Sequence, residues 1–136
     1  MEISMNKTVF EATQRVFTEA YKHIITQGVP SISLNGGCVY RLETESGHFL
    51  SCAFAPCIRE YDPEMEDIDA MGLLESWTGL LYGWSRKADP AVCIKIQAAH
   101  DEPARYSPVE DFIDIFKLKM NTIAKKYNFE IPEVTK

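Results

Sequence analysis

Two apolar stripes at helical spacing, one near each end of the chain, limit what this sequence can fold into. Near the N-terminus Phe10, Thr13, Phe17, Ala20 and Ile24 recur every three or four residues, flanked by Val9 and Val16. That period places them on one face of a helix. Thr8, Val9, Phe10 and Glu11 have capping-box spacing, a hydroxyl to cap and a carboxylate three residues on to reach back. Gly28 and Pro30 supply the stop, so a helix is predicted over 8–27. Toward the other end Val109, Phe112, Ile113, Phe116, Met120, Ile123 and Tyr127 form the second stripe. Ser107, Pro108, Val109 and Glu110 open it as another capping box with proline at the first helical position. Early Glu110, Asp111 and Asp114 and late Lys117, Lys119, Lys125 and Lys126 match the helix dipole, and Asn128 is a plausible C-cap.

Between the stripes the period changes. After the turn signal Asn35-Gly36-Gly37, the residues Cys38, Tyr40 and Leu42 alternate with Val39, Arg41 and Glu43. Past Glu45-Ser46-Gly47 a second run, His48, Leu50, Cys52 and Phe54, alternates with Phe49, Ser51 and Ala53. The pair reads as a β-hairpin over 37–55, its even-numbered positions sharing the face turned to the helices. Cys38 and Cys52 are then cross-strand neighbours or one diagonal step apart. Asp62-Pro63 and Asp89-Pro90 signal helix entries. From Asp69 to about Trp84 two readings stand. One is a helix with Leu73, Trp77, Leu80 and Trp84 on one stripe and the small residues Gly72, Ser76, Gly79 and Gly83 on another. The other is two short helices broken by the glycines, each of which weakens a helix by about 1 kcal/mol relative to alanine. The next helix turns Val92, Cys93, Ile96, Ala99 and His100 inward and ends near Asp101, before Pro103. The whole reads as one α+β domain over 1–136, mainly helical. Four to five helices pack around one hairpin, with a helical part over 62–127 and a tail over 128–136.

Length and charge exclude several classes of function. At 136 residues the chain makes one domain, and 14 Lys and Arg against 20 Asp and Glu give a net charge of −6, so a basic footprint for nucleic acid is absent. Six of the acidic residues, Glu60, Asp62, Glu64, Glu66, Asp67 and Asp69, fall in ten positions with no basic residue among them. Without those six the chain carries 14 acidic and 14 basic residues, so this segment holds the entire net charge. No apolar run is long enough to span a membrane, and the opening residues lack the apolar core of a signal peptide. Cys38, Cys52, Cys57 and Cys93 therefore read as reduced thiols of a cytoplasmic protein, most of them packed as small apolar groups.

Several short motifs in order resemble a family of small uncharacterised phage and prophage proteins. Cys38-Val-Tyr40-Arg41, Gly47, Ser51-Cys52-Ala53 and Tyr61-Asp-Pro63-Glu-Met65-Glu66 are similar to that family's Cys-x-Tyr-Arg, turn, Cys-Ala-x-Gly and Tyr-x-Pro-x-Met-Glu pattern. Ile96-Gln97-Ala-Ala-His100-Asp101 resembles its Leu-Gln-x-x-His-Asp segment, and Tyr127-Asn-Phe129 its closing Tyr-Gly-Leu. Ala55 stands where the pattern has glycine, and the segment from Cys52 to Tyr61 is two residues shorter. The resemblance implies a phage-associated cytosolic origin and brings no activity with it. By analogy of class, small acidic proteins of this kind act by binding a host protein.

Two candidate sites follow. The first is a partner-binding surface made of Glu60, Asp62, Glu64, Glu66, Asp67 and Asp69 with the neighbouring Trp77 and Trp84. Clustered carboxylates steer a basic partner, and tryptophan is enriched in interface hot spots. If the small-residue stripe faces outward it seats a second copy of the chain. The alternative is a small-ligand or zinc site, or an enzyme, built on Cys38, Tyr40, Arg41, Cys52, His100 and Asp101. Cys38, His48, Cys52, Cys57 and His100 are zinc-ligand types, but none stand in a Cys-x-x-Cys pair, so no metal or cofactor is assigned. A Cys52–His100–Asp101 arrangement meets the objection that adjacent residues on a helix face apart, and His100 reads equally as a cation at a helix C-terminus. A small nucleotide between hairpin and helices is also chemically open, with Arg41 or Arg59 on its charge and Tyr40 or Tyr61 stacking. The leading expectation is non-enzymatic binding, with possible inhibition, of a host macromolecule.

Overall fold

A computed structural model gives the chain as a mainly helical α+β fold, and it describes residues 5–32 and 39–134. Helix α1 spans Lys7–Gln27, strands β1 and β2 span Arg41–Glu43 and Phe49–Ser51, and helices α2, α3 and α4 span Ala70–Ser76, Pro90–Tyr106 and Phe112–Tyr127. Short 3₁₀ turns fill the connections at Ala55–Cys57, Pro63–Asp67, Thr78–Leu80, Gly83–Ser85 and Val109–Asp111. Among the described residues no helix is long and apolar enough to cross a membrane.

The two stripes become α1 and α4, and α3 lies between them, packed on α1, α2 and α4. Val16, Phe17, Ala20 and Ile24 of α1 and Phe112, Phe116 and Met120 of α4 are fully or nearly fully buried. Their caps differ from the expected ones. The α1 N-cap is Asn6, whose side chain accepts from the Val9 N–H at 2.9 Å, and Thr8 is already helical. Ser107 ends α3 instead of starting α4. It is followed by a 3₁₀ turn with no side-chain cap, and Val109, assigned to the inward stripe, is 62% exposed. Gly28 and Asn128 do close α1 and α4 in the left-handed conformation, at φ 78° and 61°. Beyond Asn128 the Phe129 ring lies 5.5 Å from Phe10 and 5.4 Å from Phe17. The Gln14 amide both donates to the Glu130 carbonyl and accepts from its N–H, so the start of the tail is docked on α1.

Helix α3 opens at the expected place, where the Asp89 carboxylate caps Ala91 and Val92. It does not stop before Pro103 but continues through it to Tyr106. A proline inside a helix costs a backbone hydrogen bond, and here Pro103 is buried in the continuing helix. The glycine-bearing segment is broken. Helix α2 ends at Ser76, and the stretch to Ser85 runs through two 3₁₀ turns, so Gly72, Ser76, Gly79 and Gly83 share no helix face. Gly72 alone answers to close packing, since a Cβ there would sit 2.7 Å from a methyl of Ile68.

The hairpin keeps its predicted turn and loses most of its predicted length. Leu42 pairs with Leu50, flanked by Arg41 with Ser51 and Glu43 with Phe49. Thr44 and His48 close the loop, with Gly47 at φ 84° supplying the left-handed turn residue. Two side chains end the ladder early. The Glu66 carboxylate accepts from the Tyr40 N–H at 2.7 Å and from the Arg41 N–H at 3.3 Å. The Gln27 amide accepts from the Ser51 N–H at 2.9 Å and donates to the Ser51 carbonyl at 3.0 Å. Continuing the register by one residue sets Tyr40 against Cys52; Cys38 and the turn at Asn35-Gly36-Gly37 lie outside the described residues. The cap assignment is directly testable. Asn6→Ala is expected to lower unfolding stability by about 1 kcal/mol and Thr8→Ala by less than about 0.5 kcal/mol, read from urea denaturation midpoints.

Candidate functional site

Six of the fourteen candidate residues, three from each set, meet at one place. A cavity of about 200 Å³ opens between the strand entry, the acidic segment and α3, and its wall includes Tyr40, Cys52, Glu66, Asp67, Asp69 and Asp101. Among the described residues its wall carries four carboxylate side chains, those of Glu66, Asp67, Asp69 and Asp101, and one guanidinium, that of Arg105. The elements that place them are local and short-range in sequence. Asp62 caps the 3₁₀ turn Pro63–Asp67 through the Glu64 N–H at 2.9 Å, and Asp69 caps α2 through the Gly72 N–H at 2.8 Å. These two caps bend the acidic run back on itself, and the bend delivers Glu66 to the hairpin.

Glu66 is the most engaged group of the site. Besides the Tyr40 and Arg41 N–H groups it accepts a short hydrogen bond from the Tyr61 hydroxyl. Partial burial together with this negative neighbour pushes the Tyr61 hydroxyl up to about 12. Behind it the Tyr40 hydroxyl donates to the Ile68 carbonyl and accepts from the Gln97 amide at 3.1 Å, while the Gln97 oxygen accepts from the Ala70 N–H at 2.9 Å. Burial, reinforced by the Asp101 and Asp69 carboxylates, holds the Tyr40 hydroxyl far above its usual range. Gln97 thus ties α3 to both the hairpin and α2. Of the remaining acidic residues, Glu60, Glu64, Asp67 and Asp69 are exposed and Asp62 is half-buried.

The cysteine–histidine alternative is not assembled as a reactive pair. Burial and the nearby Asp101 carboxylate raise the Cys52 thiol well above its usual range, so at neutral pH it contributes a protonated wall and not a thiolate. Cys57 and Cys93 are also buried and free, with Cys93 pushed up to about 12 by burial. His100 is completely buried in the interior of α3, six residues before its end, so it is not a cation at a helix terminus. Contrary to the argument from adjacency, Asp101 does reach it. Nδ1 of His100 lies 2.7 Å from an Asp101 carboxylate oxygen, and Nε2 accepts from the Ser31 N–H at 3.0 Å. Both ring nitrogens are occupied, the proton being fixed on Nδ1 by this network, and the ring packs edge-on against Phe112. Among the described residues no three His, Cys, Asp or Glu side chains gather as a metal-holding group. Trp77 and Trp84 are half-buried against the core; Trp84 stacks on Tyr82, with the Arg15 guanidinium 4.4 Å from its ring centre.

The sequence pattern assigns no role to His23, Gln27 or Gln97. His23 and Gln27 are four residues apart, so they share a helix face, and both reach Ser51. Nε2 of His23 lies 2.8 Å from the Ser51 hydroxyl and 3.2 Å from its carbonyl oxygen. A carbonyl can only accept, so this nitrogen carries the proton and clamps the strand; it is not placed to remove a proton from the hydroxyl. No family model, curated protein or solved structure matches the chain.

Two outcomes test this reading. Replacing Glu66 by alanine strands the Tyr40 and Tyr61 donors and is expected to destabilise the fold by about 2 kcal/mol, with Glu66→Gln recovering about half of that; denaturant midpoints measure both. Burial lowers His23 below its ordinary value of 6.5, its bond to the Ser51 carbonyl opposing. A histidine held neutral in the fold but free to protonate when unfolded contributes stability that falls as pH drops through 6.5. His23→Gln is expected to flatten the stability–pH profile on the acid side of that value while leaving the alkaline side level.

Proposed function

We propose that this protein is a non-enzymatic binding module whose acidic face takes a basic segment of a macromolecular partner, a single Lys or Arg side chain entering the cavity. The observation that carries the reading is the four-to-one excess of carboxylates around an opening of about 200 Å³. That volume is below the roughly 300–1,000 Å³ of small-molecule pockets but accommodates one side chain. The carboxylates are also held in place. Asp69 is fixed as a cap, Glu66 by three donors and Asp101 by His100, so little side-chain freedom is lost when a cation enters. Exposed Glu60, Glu64 and Asp67 extend the negative surface beyond the opening and steer a basic partner toward it. The resemblance to small phage and prophage proteins supports a host protein as that partner, with inhibition as the consequence of binding.

The test uses Glu64→Lys/Asp67→Lys, two exposed positions that neither cap a helix nor hold the hairpin. Wild-type chain on a solid support is expected to retain a basic protein from bacterial lysate at about 0.05 M salt and to release it at about 0.5 M. The double variant is expected to retain about tenfold less. A partner held equally by both chains, or none held by either, overturns the acidic-face mechanism.

A further inference from the structure

The hairpin's outer face carries a second site of opposite charge. The Arg41 guanidinium lies 3.9 Å from the Phe49 ring centre and 5.3 Å from that of Tyr61. Among the described residues no carboxylate stands within ion-pair distance of it and no acceptor meets its N–H groups. A guanidinium resting on aromatic faces has already lost much of its rotational freedom, while its N–H donors remain to meet an oxyanion. Arg59 stands in the same groove, fixed by the Gly79 carbonyl and by Glu60, each at 2.8 Å. The groove encloses about 320 Å³ with Ile58 in its wall, a volume within the range of small-molecule sites. Phe49, the first residue of β2, is 49% exposed, so its ring is open to a ligand.

We infer that this groove binds a nucleoside monophosphate, its phosphate on Arg41 and Arg59 and its base against Phe49 and Tyr61. Arg41 offers its guanidinium to the phosphate monoester, and Arg59, shared with Glu60, adds donors beside it. Glu60, bonded to Arg59, disfavours the added charge of a longer phosphate chain. Aromatic faces accept any base by stacking, so purine and pyrimidine both fit. Among the described residues the groove and the acidic cavity share Tyr40 in their walls and no other residue.

Titration calorimetry on the full chain tests this with AMP, UMP, adenosine and inorganic phosphate. AMP and UMP are expected to saturate below about 1 mM, and adenosine and phosphate each to bind at least about tenfold more weakly. Arg41→Gln is expected to weaken AMP about tenfold, and Phe49→Leu, which keeps apolar bulk but removes the ring, about fivefold; circular dichroism confirms that both variants are folded. Failure of both nucleotides to saturate by about 5 mM, unchanged affinity in either variant, or inorganic phosphate binding as tightly as AMP would each overturn the assignment.

Discussion

The carboxylate of Glu66 joins the two halves of this molecule. A hairpin with three-residue strands is marginal by itself, and this one has no third strand among the described residues. It is held instead from two sides by side chains that imitate a neighbouring strand. Glu66 takes the Tyr40 and Arg41 N–H groups where β1 begins, and Gln27 takes both backbone groups of Ser51 where β2 ends. The acidic run consequently has a structural task as well as an electrostatic one. Asp62 and Asp69 cap the turns on either side of Glu66, so three of its carboxylates each meet backbone N–H donors that offset their mutual repulsion.

The parts legible in the sequence are those decided by residues close together along the chain. The stripes of α1 and α4, the left-handed stops at Gly28 and Asn128, the Asp89 cap and the turn at Gly47 all rest on spacing within about one turn of structure. Where reading failed, a distant contact overrode a local preference. Pro103 ought to end α3, but it is buried and the helix runs on. Ser107 ought to cap α4, yet it terminates the preceding helix. The hairpin alternation continues to Phe54 in the sequence, while the ladder stops at Ser51 because Gln27, twenty-four residues earlier, takes its hydrogen bonds.

The candidate site shows the same division. Its residue types were visible as an acidic cluster and as a scatter of Tyr40, Cys52 and Asp101, but their convergence on one cavity depends on Glu66 reaching back twenty-six residues to Tyr40. Glutamines escaped notice because they carry neither charge nor apolar pattern. An amide nonetheless offers one acceptor and two donors on a short stem. Gln14 and Gln27 each use this to satisfy both backbone groups of one residue, and Gln97 to bridge two elements.

Alternation along β1 then accounts for two sites of opposite charge standing back to back. Successive side chains of a strand point to opposite faces. Tyr40, just before β1, borders both sites but turns its hydroxyl inward to Ile68 and Gln97, and Arg41 turns outward to Phe49 and Tyr61. A slip of one residue would exchange the two, burying a guanidinium and exposing a tyrosine whose hydroxyl now serves Ile68 and Gln97. The register is fixed from outside the strand, by the two backbone N–H groups that Glu66 accepts. The carboxylate that contributes negative charge to one site therefore also sets the arginine of the other.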